Sequence, residues 1–232
     1  MTRRRPRAAG EPILRPAQGR YLRSLLSPRD PLLAELERRE ESDGAPVRHP
    51  ATVRLLEILA AIRQPSRVLD LACGAGEGTL AVARGAPRAA VVAVEPRAAQ
   101  AEVARETFRR GLVAERVELV EEEPPAVLAR STGPIDLLLL DASSSDARRL
   151  LDFALPLLAV RGLLVADRCL AAGRLADPSP ADLDDPGRRA LELFNPYLMI
   201  HPQLRAVMLP VGHGVALASK SRPLVLELGG PY

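Results

Sequence analysis

Short apolar runs and helical patterns alternate through most of the chain. Residues 68–72, 90–94, 117–120, 135–140 and 163–166 are near-continuous apolar stretches. Such runs predict strands covered on both faces, as in a parallel sheet. Residues 81–83, 98–108, 125–129 and 147–158 predict the intervening helices, and 186–194 a further one. The last part of the chain differs. Residues 204–209 and 215–219 flank Val211-Gly212-His213-Gly214, which reads as an antiparallel hairpin. Upstream, Tyr21, Leu22, Leu25 and Leu26 share a helical face. Asp30 followed by Pro31 opens a second helix as cap and first turn. Val53, Leu55, Leu56, Ile58 and Leu59 mark a third, ending near Gln64-Pro65. The pattern predicts an α/β fold: a doubly wound, mostly parallel seven-stranded sheet with a C-terminal hairpin and N-terminal helices. The expected divisions are a tail at 1–15, a helical extension at 16–65, the α/β domain at 66–222, and a tail or edge strand at 223–232.

Composition narrows the class. The chain has 232 residues, 47% hydrophobic and 26% charged, which excludes a wholly disordered protein. No apolar run reaches the ~18 residues of a membrane span. No apolar stretch follows Arg3, Arg4, Arg5 and Arg7, so a signal peptide is not expected and a cytoplasmic protein is. Residues 1–20 hold a net charge of +5, whereas the chain totals +3. The basic character belongs to the tail, which could track nucleic-acid phosphates or simply be solvated. Cys73 and Cys169 lie at the ends of the first and fifth strands, too far apart across an intervening strand for a disulfide.

The candidate chemistry begins at Asp70-Leu71-Ala72-Cys73-Gly74-Ala75-Gly76-Glu77-Gly78, which follows the first strand and opens a helix. Glycines there let the backbone approach a ligand closely. Glu95 ends the second strand, where a carboxylate can accept hydrogen bonds from ribose hydroxyls.

These residues resemble the first motif of the class I methyltransferases, which bind S-adenosylmethionine. A narrower resemblance, to the catechol and caffeoyl-CoA type O-methyltransferases, rests on several further segments. These are Asp136–Ala142, Leu155-Pro156-Leu157-Leu158, Gly162–Asp167, Gly173–Pro178, and Leu209–Gly214 with Lys220. It covers roughly residues 20–220. The resemblance implies a Rossmann-like methyltransferase fold and a homodimer. It implies cofactor contacts at Asp70, Ala72, Gly74, Gly76, Gly78, Glu95, Glu123 and Asp141, with Glu122 the alternative to Glu123. It also implies a divalent metal such as Mg²⁺, with Asp141 and Asp167 as ligands.

The chain departs from that pattern at three positions. Arg168 stands where the family has a metal-binding Asn, and Ser144 where it has a Lys near the reacting oxygen. Gly78 removes a hydroxyl that would contact the cofactor's carboxylate. A phenol acceptor with pKa near 10 is only ~10⁻³ ionised at pH 7, a deficit of about 4 kcal/mol that a metal normally covers. We expect Arg168 to lie between Asp141 and Asp167 and to stabilise a substrate oxyanion in the metal's stead. Asp141, Arg168 and Ser144 are therefore the candidate catalytic residues. Of the three histidines, His49 is the best candidate base. The expected activity is transfer of a methyl group to a hydroxyl of a small, aromatic molecule. The alternatives are a tRNA 5-hydroxyuridine methyltransferase using the basic tail, and a decayed cofactor-binding scaffold.

Overall fold

The computed structural model describes residues 16–26, 30–43, 48–171, 175 and 185–221. The expected tails at 1–15 and 223–232 lie outside these residues, as does most of the loop that precedes residue 185.

Seven strands form one sheet in the order β3-β2-β1-β4-β5-β7-β6. They are β1 (Arg67–Asp70), β2 (Ala90–Val94), β3 (Val117–Val120), β4 (Ile135–Asp141), β5 (Leu158–Asp167), β6 (Leu204–Leu209) and β7 (Val215–Lys220). The first five are parallel, and β7 runs antiparallel to both β5 and β6. Helices α1 (Pro16–Ser24), α2 (Pro31–Asp43) and α3 (Pro50–Arg63) precede the sheet. Helices α4 (Glu77–Gly85), α5 (Ala98–Arg110), α6 (Pro124–Arg130), α7 (Ala147–Ala154) and α8 (Pro186–Ile200) cross between strands.

Alternation along β4 shows why the strands read as unbroken apolar runs. Leu138 and Leu140 pack on one face with Val127, Leu151 and Phe194 from α6, α7 and α8. Leu137 and Leu139 pack on the other with Leu56, Leu80 and Phe108 from α3, α4 and α5. Both faces are dry, so neither set of positions is polar. At the start of β4, Asp136 ties down the amino end of the neighbouring β1, accepting the amides of Ser66 and Arg67 at 2.9 and 3.0 Å.

Two boundaries differ from expectation. The helix expected over 147–158 stops at Ala154, and β5 begins at Leu158. Leu158 pairs with Ile135 ahead of a register shift. The run 155–160 is apolar throughout, and periodicity alone cannot separate a buried helix end from a buried strand start. The helix expected to stop at 194 continues to Ile200 through Pro196. Leu191, Phe194 and Leu198 are buried along one face. Their burial offsets the hydrogen bond that Pro196 cannot make. The helical face expected over Tyr21, Leu22, Leu25 and Leu26 is cut short, because α1 ends at Ser24, and Tyr21 at 64% and Leu25 at 59% are exposed. Among the described residues no helix is long and apolar enough to cross a membrane.

Candidate active site

In an open parallel sheet, ligands bind beyond the carboxyl ends of the strands, where the strand order reverses. Here that point lies between β1 and β4. The ends of β1, β2, β4 and β5 bring Asp70, Glu95, Asp141 and Asp167 to the same rim. A cavity of about 310 Å³ opens there. Its lining runs from Glu123 and Pro124 past Glu95 and Gly74 to Asp141, Ser144 and Arg168.

The three loop glycines serve different purposes. Gly74 has φ +59°, and a Cβ there would project into open space, so the loop leaves a cradle above it. Gly76 caps α4 with φ +92°, and a Cβ would stand 2.7 Å from Phe108 Cε1. It is demanded by the packing of α5 on the loop. Gly78 has ordinary helical backbone, and a Cβ would stand 2.6 Å from Arg48 Nη1. Asp70 lies beneath the loop, fully buried, where it accepts the Ala72 amide at 3.1 Å and the Thr79 hydroxyl at 2.8 Å. It shapes the loop and does not line the cavity.

Glu95 is 3% exposed. It accepts the Gly74 amide at 3.1 Å and holds the Arg97 guanidinium through Nε at 2.7 Å. That hydrogen bond raises the pKa of Arg97. The Arg97 side chain is largely exposed, so ribose hydroxyls would replace a partly screened ion pair on Glu95. Of the neighbouring glutamates, Glu121 pairs with Arg105 and Glu122 forks onto Arg130 at 2.7 Å, so Glu123 is the one at the cavity. Donor set, cradle and shape fit a nucleoside cofactor of the expected kind.

The metal expectation fares differently. Asp141 Oδ1 accepts the Ser143 amide at 2.9 Å and its hydroxyl at 2.6 Å, and Oδ2 accepts Arg168 Nη1 at 3.0 Å. Asp167 Oδ1 accepts the Arg168 amide at 2.8 Å, and its Oδ2 faces Arg48 Nε at 3.8 Å. Each carboxylate already faces a guanidinium, and the one on Asp141 belongs to Arg168 itself, the residue at the third ligand position. Among the described residues no group of three His, Cys, Asp or Glu is placed to hold a metal. The residues present do not fit a divalent ion. The expected bridge by Arg168 is also divided: its side chain reaches Asp141, only its amide reaches Asp167, and Arg48 supplies the second cation. The bridge fails because Arg168 has φ +61°, a left-handed turn at the strand end.

Arg48 was not legible in the sequence. It is 7% exposed, donates Nη2 to the Ala72 carbonyl at 2.9 Å and faces Asp70 Oδ1 at 3.6 Å. Burial opposes its charge, yet Asp70, Asp167, Glu77 and Asp141 hold its pKa above the usual value. The one available signal was Gly78, a glycine in a helix whose backbone does not need one.

The remaining candidates divide between the cavity's border and positions away from it. Ser144 borders the cavity, and its hydroxyl accepts the Asp146 amide at 3.3 Å. His49 caps α3, its Nδ1 accepting the Ala51 amide at 3.1 Å. Burial, then Arg23 and His213, push its pKa down to about 4. A ring committed to a cap does not line the cavity. Both cysteines are free and buried, and burial pushes the Cys169 thiol up to about 12.

Comparison with known proteins agrees with this geometry. A family model described as O-methyltransferase matches residues 29–221. The catechol O-methyltransferase of Mycobacterium tuberculosis is 34% identical over 158 residues, spanning 66% of this chain and 69% of that protein. A methyltransferase from Geobacter sulfurreducens superimposes with a TM-score of 0.78 at 29% identity, covering 91% of this chain and 100% of its own. A cofactor-bound protein from MTB superimposes with a TM-score of 0.77 at 29% identity, covering 88% of this chain and 96% of its own.

Proposed function

The chain belongs to the O-methyltransferase family and is an S-adenosylmethionine-dependent enzyme; on that premise we propose that it methylates a hydroxyl of a small aromatic molecule without a divalent metal, using the Arg168 guanidinium instead. The bound cofactor supplies an electrophilic methyl group. The protein must hold the acceptor oxygen in line with it and favour the oxyanion.

The observation that carries this reading is the Arg168 side chain on Asp141, at 3.0 Å, bordering the cavity beside the glycine loop. Ser143 holds Asp141 from behind, and Asp167 fixes the Arg168 amide. The guanidinium is thus oriented before the acceptor arrives, and a preorganised cation needs no rearrangement as charge develops. In this reading Asp141 accepts the hydroxyl proton, and Arg168 stabilises the oxygen that remains.

A calorimetric titration with S-adenosylhomocysteine, with and without Mg²⁺, followed by a screen of catechols and phenols with and without EDTA, tests it. Micromolar binding unchanged by Mg²⁺ and turnover unchanged by EDTA are expected. Strict dependence of turnover on added metal would mean that Arg168 does not stabilise the oxyanion in a metal's place.

A further inference from the structure

One departure from the family's motif, Gly78, lies against the buried Arg48. Gly78 lies in the first turn of α4, and its backbone takes no conformation that requires glycine. What requires it is space. A Cβ on residue 78 would stand 2.6 Å from Arg48 Nη1 and 2.9 Å from Arg48 Cζ. The guanidinium of Arg48 therefore fills the volume that a side chain at position 78 would take. The close approach of α3 to α4 brings it there: the Glu57 carbonyl of α3 would be 2.3 Å from a Cβ on Gly85.

The cavities say what this cation faces. The larger one runs from Glu123 past Glu95 to Asp141 and Arg168. A smaller one, about 20 Å³, shares Ala72, Gly74, Asp141 and Arg168 with it and is closed by Arg48 and Glu77. A ribose on Glu95 and a reacting centre at Asp141 and Arg168 leave one direction for the rest of the cofactor. Its amino-acid end turns past Gly74 toward Arg48. That end is a zwitterion, with one carboxylate and one ammonium. Arg48 and the opening turn of α4 are both positive there, a pairing that favours an anion between them. Glu77 and Asp141 offer the opposite charge to the ammonium.

We propose that Arg48 binds the carboxylate of the cofactor's amino-acid end, taking over from a position-78 hydroxyl, and that Arg48 and Gly78 form a matched pair. The proposal rests on the reading that the cavity holds S-adenosylmethionine. One charge-assisted hydrogen bond corresponds to roughly 10- to 100-fold in affinity.

Two probes separate Arg48 from the rest of the site: S-adenosylhomocysteine, and 5′-methylthioadenosine, which has the adenosine and sulfur but no amino-acid end. Calorimetric titration of the full chain reads both. Arg48→Met should weaken S-adenosylhomocysteine roughly 10- to 100-fold and leave 5′-methylthioadenosine unchanged. Arg48→Lys should fall between. Gly78→Ala keeps every charge, so it covers the case in which Arg48→Met fails to fold. Its methyl displaces the guanidinium and should produce the same selective loss. Arg48→Met with Gly78→Ser should recover part of the affinity through the restored hydroxyl. Equal weakening of both probes, or no weakening of S-adenosylhomocysteine, overturns the proposal. Wild-type protein that binds neither probe removes the cofactor reading itself, and a wild type that binds both equally removes only the role of Arg48.

Discussion

Replacing Arg168 by Met keeps the unbranched apolar stem of the side chain and removes its charged end. The ion pair it forms with Asp141 spans 3.0 Å, with the two side chains 25% and 22% exposed. Both side chains reach solvent in part, and Asp141 keeps its hydrogen bonds from Ser143, so the variant is expected to fold. Catalysis is more sensitive. A phenolic acceptor falls short by about 4 kcal/mol of oxyanion at pH 7. A donor aimed at a developing oxyanion contributes about 2.7–4 kcal/mol, which offsets most of that shortfall. Arg168→Met should therefore lose roughly 10²- to 10³-fold in kcat, with the KM for S-adenosylmethionine little changed. The lost rate should return as pH rises toward the acceptor's own pKa. Initial-rate assays on the acceptor found by screening, at pH 7 and pH 9, measure both effects, with thermal melting as the control for folding. A loss of less than about threefold at pH 7 in a folded variant would refute the reasoning. So would wild-type activity abolished by EDTA and restored by Mg²⁺.

Three further outcomes follow from the geometry. Arg168 holds φ +61° without being glycine. Arg168→Gly and Arg168→Ala both lose the Asp141 contact, but only glycine relieves the backbone, so it should be the more stable of the two by about 1 kcal/mol in urea unfolding. Gly76→Ala adds a methyl 2.7 Å from Phe108 Cε1 at φ +92°. It should destabilise by about 2–4 kcal/mol, and Phe108→Leu in the same chain should recover part of this in the same assay. His49 has its pKa pushed from 6.5 down to about 4. The unfolded chain therefore binds the extra proton first, and stability falls as pH drops from about 6.5 toward 4. His49→Asn keeps a capping side chain and should flatten that slope by up to about 2 kcal/mol when unfolding free energies at pH 7 and pH 4.5 are compared.

The sequence by itself determined the layers and the ligand side of the sheet. Five apolar runs separated by helical patterns require a covered parallel sheet, because a strand buried on both faces has no polar positions. The glycine loop after the first strand, with Glu95 closing the second, marks where a cofactor lies, since both are local chemistry with fixed spacing. The hairpin around Gly212 and Gly214 was legible for the same reason, both glycines having positive φ. The substitutions at Ser144, Gly78 and Arg168 were also visible as departures from a motif.

What those departures mean was decided only in three dimensions. Sheet order sets β4 beside β5, so Asp141 and Asp167 stand in register as partners. The left-handed turn at Arg168 then sends its side chain to the first and leaves only its amide for the second. Arg48, 24 residues before Ala72, bonds to the carbonyl of that residue because α3 packs on α4. Gly76 reads like a cofactor glycine, yet its space is taken by Phe108. Period and turn chemistry are properties of neighbours along the chain and survive in the sequence. Charge pairing and close approach between distant segments depend on how the layers stack, and no spacing records that.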